Sequence, residues 1–216
     1  MKFYWERETS TGVCSLGAVP GSYDSHPLIS NLLIDYIPRL VGNPRISVAF
    51  TLAFSSSISG EIEFPSKVGP ELAAGVQRLL EPTAVSVTPI DLEPSQFTYG
   101  ENVFVLNYAS DTQPEVTWAG FDSPRCIGLN LTDMSDSFSA QYRNEVLSVP
   151  TNAGLFATMN NLGQFSHEPF IAVAVMLSED YDVGTIRLPK GTLLDENLRR
   201  VGMLLQTCGM NLELQP

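Results

Sequence analysis

The sequence predicts an α+β fold made of two similar halves, and three observations carry that prediction. "GEIEFP" at 60–65 and "GTIRLP" at 184–189 share Gly, Ile and Pro at matching places. The order of predicted elements repeats from one half to the other. The spacing between matching positions shifts once: Gly17 falls on Gly120, 103 residues on, while Val76, Leu79 and Leu80 fall on Val201, Leu204 and Leu205, 125 residues on. A single insertion near 126–147 accounts for the shift. Each half then reads as a ferredoxin-like (β)βαββαβ unit, related to the other by a pseudo-two-fold, with antiparallel sheets covered by helices on one face. The units are residues 1–100 and 101–216, separate or fused into one domain.

In the first half, "KFYWE" and "GVCSLGAV" are β-like runs joined as a hairpin by "RETST". Residues 25–37 read as a helix, with Ser25 as N-cap and Leu28, Ile29, Leu32, Leu33 and Tyr36 at helical spacing. "ISVAFTLAF" (46–54) alternates large and small residues, which predicts a strand. "GEIEFP" returns as its hairpin partner, with Ile62 and Phe64 inward and Glu61 and Glu63 outward. "GPELAAGVQRLLEP" is a helix bounded by prolines, and "AVSVTPIDL" is the closing strand.

In the second half, "NVFVLNYA" and "EVTWAGF" form a hairpin. The insertion holds a helix capped by Ser135 or Asp136. "TNAGLFATMNNLG" is a short helix stopped by Gly163. "FIAVAVML" (170–177) is apolar on both faces, as a central strand is, and "GTIRLP" returns beside it. "DENLRRVGMLLQTCG" is a helix with Asp195 at its start and Gly209 at its end, and "MNLELQ" is the last strand.

Twenty-four acids against twelve bases give a net charge of −12. Such a chain is poorly suited to neutralising phosphates, which argues against nucleic acid and anionic membranes as partners. A basic protein is the partner that this charge would steer in; a homodimer stays open. The acid is concentrated: residues 93–169 hold nine acids and two bases. The longest apolar run is eight residues, too short to span a bilayer. Cys14, Cys126 and Cys208 lack metal-ligand spacing and read as reduced thiols of a cytoplasmic protein. No phosphate loop or dinucleotide fingerprint is present, so no cofactor is expected, and two histidines without paired spacing argue against a metal.

If the protein is an enzyme, His26, His167 and Cys126 are its candidate catalytic residues. Asp24-Ser25-His26 is an acid–base pair or, more plainly, a helix cap. His167 stands beside Glu168 in a loop, as a base or as part of a solvated turn. Cys126 follows an Arg, which favours a thiolate, but it lacks a nearby His in sequence. If the protein is a binding module, the acid-rich insertion supplies Asp133, Asp136 and Glu145. Trp5, Tyr108 and Trp118 supply aromatic anchors.

"YWERETSTGVC" (4–14) resembles the opening of one group of immunity proteins from bacterial polymorphic-toxin systems. The resemblance covers eleven of 216 residues. It implies a cytoplasmic, acidic, non-catalytic protein that blocks a toxin by binding it. The expected function is therefore an acidic binding protein of immunity or inhibitor type that neutralises a basic effector. The alternative is a small-molecule enzyme or ligand-binding protein with a pocket between the two halves.

Overall fold

Strands β1 (Lys2–Glu8) and β2 (Val13–Val19) form the expected antiparallel hairpin, with Tyr4 opposite Gly17. They begin a chain whose computed structural model describes residues 1–93, 97, 99–108, 124–134, 139–160, 163–189, 192 and 194–215. The first half continues with β3 (Asn31–Ile34), α1 (Asn43–Phe54), β4 (Glu61–Val68), α2 (Pro70–Leu79) and β5 (Ser86–Ile90). The second half holds β6 (Asn102–Asn107), β7 (Cys126–Asp133), β8 (Gln141–Arg143), β9 (Val146–Thr151), α3 (Ala153–Thr158), α4 (Glu168–Leu177), β10 (Val183–Leu188), α5 (Glu196–Gln206) and β11 (Asn211–Leu214).

All eleven described strands join one mixed sheet in the order β11-β10-β6-β7-β9-β3-β2-β1-β4-β5, with β8 paired to β9. The first half thus runs 3-2-1-4-5 and the second 9-7-6-10-11, meeting at β3 and β9. That seam has one residue pair in register, Ile34 opposite Thr151. Side chains reinforce it: Asn152 accepts from the Leu33 N–H at 2.7 Å and donates to the Asn31 carbonyl at 2.9 Å. Thr151 donates to the Leu33 carbonyl at 2.7 Å. α1 packs on α4 and α2 on α5, so the two halves also share one helix layer and one hydrophobic core.

The expected α+β class holds as a mixed sheet with five α-helices among the described residues. The elements within it differ from the ferredoxin-like reading in four places. "ISVAFTLAF" lies in α1 and "FIAVAVML" in α4, and both are helices buried all round. Alternation of large and small residues let the first read as a strand, and apolar residues on both faces let the second. In fact the small residues allow two buried helices to pack closely. Each helix carries the Pro of its first turn, Pro44 and Pro169, the start signal that the alternation obscured. Burying a Val, Leu or Phe contributes about 1.5–3 kcal/mol, so this central helix pair anchors the core.

The hexapeptides are therefore not hairpin returns. β4 follows α1 and pairs parallel with β1 and β5, and β10 follows α4 and pairs parallel with β6 and β11. The expected antiparallel sheets are accordingly a mixed sheet, wholly parallel from β11 through β9 along the main order. Ile62, Phe64, Ile186 and Leu188 are buried, as read from the sequence. Within 25–37, β3 replaces the expected helix, because Leu32 and Ile34 complete the buried sheet face between β2 and β9.

The segment 126–147 is not an appendage. It supplies β7, deep in the sheet, and a tight β8–β9 hairpin in place of the expected helix. Asn144 and Glu145 form that hairpin's two-residue turn with φ of 50° and 62°. "EVTWAGF" lies outside the described residues. Elsewhere the expectation and the structure agree: α2, α3, α5, β5, β6 and β11 stand where the sequence places them. Asp195 caps α5 through Leu198 N–H at 2.8 Å, and Gly209 takes φ +75° after it.

Candidate functional site

A cavity of about 480 Å³ opens where the two halves meet on the helix side. The first half contributes the ends of α1 and α2, and the second contributes the end of α3 and the starts of α4 and α5. Phe54 and Phe156 form part of an apolar wall and meet edge to face, with ring centres 5.5 Å apart. Ser166, His167, Glu168 and Asn197 supply a polar side. The chain places these four together because α4 and α5 both begin here.

Glu168 is 6% exposed. Its carboxylate accepts from Asn197 Nδ2 at 2.5 Å and from the Ser166 hydroxyl. Next to it, His167 Nδ1 lies 2.5 Å from the Tyr108 hydroxyl. Tyr108 follows β6 and stacks on Phe170, with ring centres 4.0 Å apart. Burial pushes the Tyr108 phenol above its ordinary range. Burial also holds His167 below its ordinary value, against the opposing charges of Glu168 and Asp195. The Tyr108 hydroxyl and His167 Nδ1 thus share one hydrogen bond, whose direction follows the imidazole tautomer. With Nδ1 engaged and the Ser166 hydroxyl turned to Glu168, the arrangement holds these polar groups in place.

The other catalytic candidates stand elsewhere. His26 is exposed and does not line the cavity. Cys126 is half-buried at the start of β7 and also lies outside the cavity lining. Burial raises Cys14 to about 11 and Cys208 to about 12, so both remain protonated thiols. Among the described residues, no three His, Cys, Asp or Glu side chains are grouped to hold a metal. No described helix is long and apolar enough to cross a membrane.

The binding candidates divide in the same way. Trp5 is half-buried against the core, with the Arg7 guanidinium 4.2 Å from its ring centre. Glu145 is engaged within the molecule: it accepts from Arg125 Nε at 2.6 Å and from the Tyr142 hydroxyl at 2.7 Å. Those bonds, Tyr142 first, hold its carboxyl below the usual range. Asp133 is exposed at the end of β7. Tyr108 belongs to the cavity edge through His167. Asp136 and Trp118 lie outside the described residues.

The sequence reading missed an acidic surface. On the sheet face away from the helices, β1 and β4 carry Glu6, Glu8, Glu61 and Glu63, all exposed, with Lys2 bound to Glu63 at 2.7 Å. Glu6, Arg7, Glu8, Val13, Ser15 and Leu33 line a shallow groove there. On the same face Tyr4 lies across Gly17 and donates to Asn31 Oδ1 at 3.0 Å. The outward turn of Glu61 and Glu63 was the available signal; their alignment with Glu6 and Glu8 needed the β1–β4 pairing. The chain matches no family model, no curated protein and no solved structure.

Proposed function

We propose that this chain is a non-enzymatic acidic binding protein of inhibitor or immunity type, acting in the cytoplasm by direct binding to a basic effector protein. The net charge of −12 carries this reading, together with the way the bases are used. Six of the twelve basic side chains, Lys2, Arg45, Arg125, Arg187, Arg199 and Arg200, already lie within 4 Å of carboxylates of this chain. Exposed acid on the Glu6/Glu8/Glu61/Glu63 face, where Lys2 pairs with Glu63, is offered to a partner. Such a surface speeds capture of a basic protein and makes that capture sensitive to salt. The matching strand orders 3-2-1-4-5 and 9-7-6-10-11 support an internal duplication in which only one copy keeps this face bare.

The test is affinity capture from the source cells at low and high salt, with Glu6→Lys/Glu8→Lys/Glu61→Lys as the control bait. The expected result is a basic protein held at low salt, released at high salt and not held by the control. Capture that ignores both salt and charge reversal would refute the reading.

The cavity between the halves favours a second reading, a protein that binds a small ligand there. His167, Glu168 and Asn197 give that cavity a polar side of built hydrogen bonds. Thermal-shift screening of cationic, neutral and anionic fragments tests it, and a cavity that takes none of them is not a ligand site.

A further inference from the structure

Glu168 is a charged group in an expensive place. It is 6% exposed, and its two hydrogen bonds come from the neutral donors Asn197 and Ser166. Its place in the first turn of α4 offsets part of the charge. Among the described residues, no Lys or Arg lines the cavity beside it. Glu81 and Asp195 also line the cavity, Glu81 with Arg200 3.9 Å from its carboxylate and Asp195 engaged as the cap of α5. A buried carboxylate without a cation costs several kcal/mol relative to water, which makes an external cation the natural complement. Exposed apolar side chains also line the cavity: Leu28, Met159 and Phe165 are 64%, 51% and 54% exposed.

We infer that this cavity binds an organic cation, a guanidinium or ammonium head on a short apolar stem. The head pairs with Glu168, and the stem packs against Phe165, Met159 and Leu28. The inference rests on the second reading above and names the ligand class for it. The cation is either a free small molecule or a basic side chain presented by a protein; the chemistry at Glu168 is the same.

Isothermal titration calorimetry of the full chain at low ionic strength tests this with n-butylguanidinium, uncharged n-butylurea and anionic n-butylsulfonate. The expected result is heat from the cation and binding at least about tenfold weaker for the urea and the sulfonate. Glu168→Gln should weaken the cation at least about tenfold while the melting temperature holds. If that variant fails to fold, Asn197→Lys serves instead. Its position is exposed, and its tethered ammonium should occupy Glu168 and abolish cation binding. A Gly-Arg-Gly peptide that binds more tightly than n-butylguanidinium would assign the cation to a protein side chain; equal or weaker binding would assign it to a small molecule. Binding that Glu168→Gln and Asn197→Lys both leave unchanged would overturn the inference. Binding of the urea or sulfonate without the cation would overturn it too, but leave the cavity reading intact; no binding of any probe would overturn both.

Discussion

The two halves of the sheet share a strand order and differ in how they treat water. In the first half, β1 reads "KFYWERE", and its face away from the helices carries Glu6 and Glu8 into solvent. In the second half, the corresponding strand β6 reads "NVFVLN", and the same face is buried: Val103 is 7% exposed, Val105 3% and Asn107 7%. Strand direction goes with this difference. β1 and β2 are antiparallel, whereas β6 and β7 are parallel. Parallel strands are usually buried on both faces and carry continuous apolar runs, while antiparallel ones tolerate one wet face. One topology therefore hosts both a covered core strand and an exposed acidic surface, and the alternation of each strand decides which.

The strongest way to break this contrast is to charge the covered face. Val105→Glu should destabilise the protein by about 3 kcal/mol or more, read by chemical denaturation. A change within the noise would mean that β6 has a wet face after all. The seam comes next. Asn152→Ala removes the bonds to Leu33 N–H and the Asn31 carbonyl and should cost about 1–3 kcal/mol. A loss no larger than for a surface alanine would show that the halves are held together by the helix layer alone.

Within the first half, Gly17 makes the close approach of Tyr4 possible. A Cβ there would lie 2.3 Å from Tyr4 Cζ. Gly17→Ala should cost about 1–3 kcal/mol, and Tyr4→Ala should remove part of that cost in a double-mutant cycle, Asn31 Oδ1 at 2.5 Å from the same Cβ keeping the rest. Additive effects would show that the ring does not constrain the glycine.

His167 gives a smaller, pH-dependent effect. Burial lowers its folded pKa below the unfolded value of about 6.5. The unfolded state then binds the proton more readily, so stability falls as pH drops through about 6.5 and the loss levels off below the folded pKa. Urea denaturation at neutral and mildly acidic pH should show a steeper loss for the wild type than for His167→Gln. Identical slopes would remove His167 from that transition. The smallest change belongs to the bare face: Glu6→Thr should stay within about 0.5 kcal/mol. A cost near that of Val105→Glu would erase the distinction between the two faces.

Much of the fold was legible where one face of an element meets solvent. The β1–β2 hairpin, α2 and α5 show clear patterns because polar residues mark their outer sides. α1 and α4 were misread because burial on every side removes the polar marker that separates a helical period from a strand period. The site was half legible. His167 and Tyr108 stood out as residue types, but they are 59 positions apart in sequence. Glu168 and Asn197 are 29 apart, and nothing local marks them as partners.

The sequence by itself determined the charge, the α+β class, the β1–β2 hairpin, the Asp195 and Gly209 ends of α5, and the inward residues of "GEIEFP" and "GTIRLP". Those are local matters of residue chemistry and period. Only the tertiary structure decided that both hexapeptides follow helices, that 126–147 lies within the sheet, and that the two halves meet at Ile34 and Thr151. It also decided that a carboxylate from the start of α4 would be buried at the edge of a cavity. Strand pairing and helix packing join residues far apart in the chain, and their free energies outweigh the weak local preferences of segments such as 25–37 and 46–54.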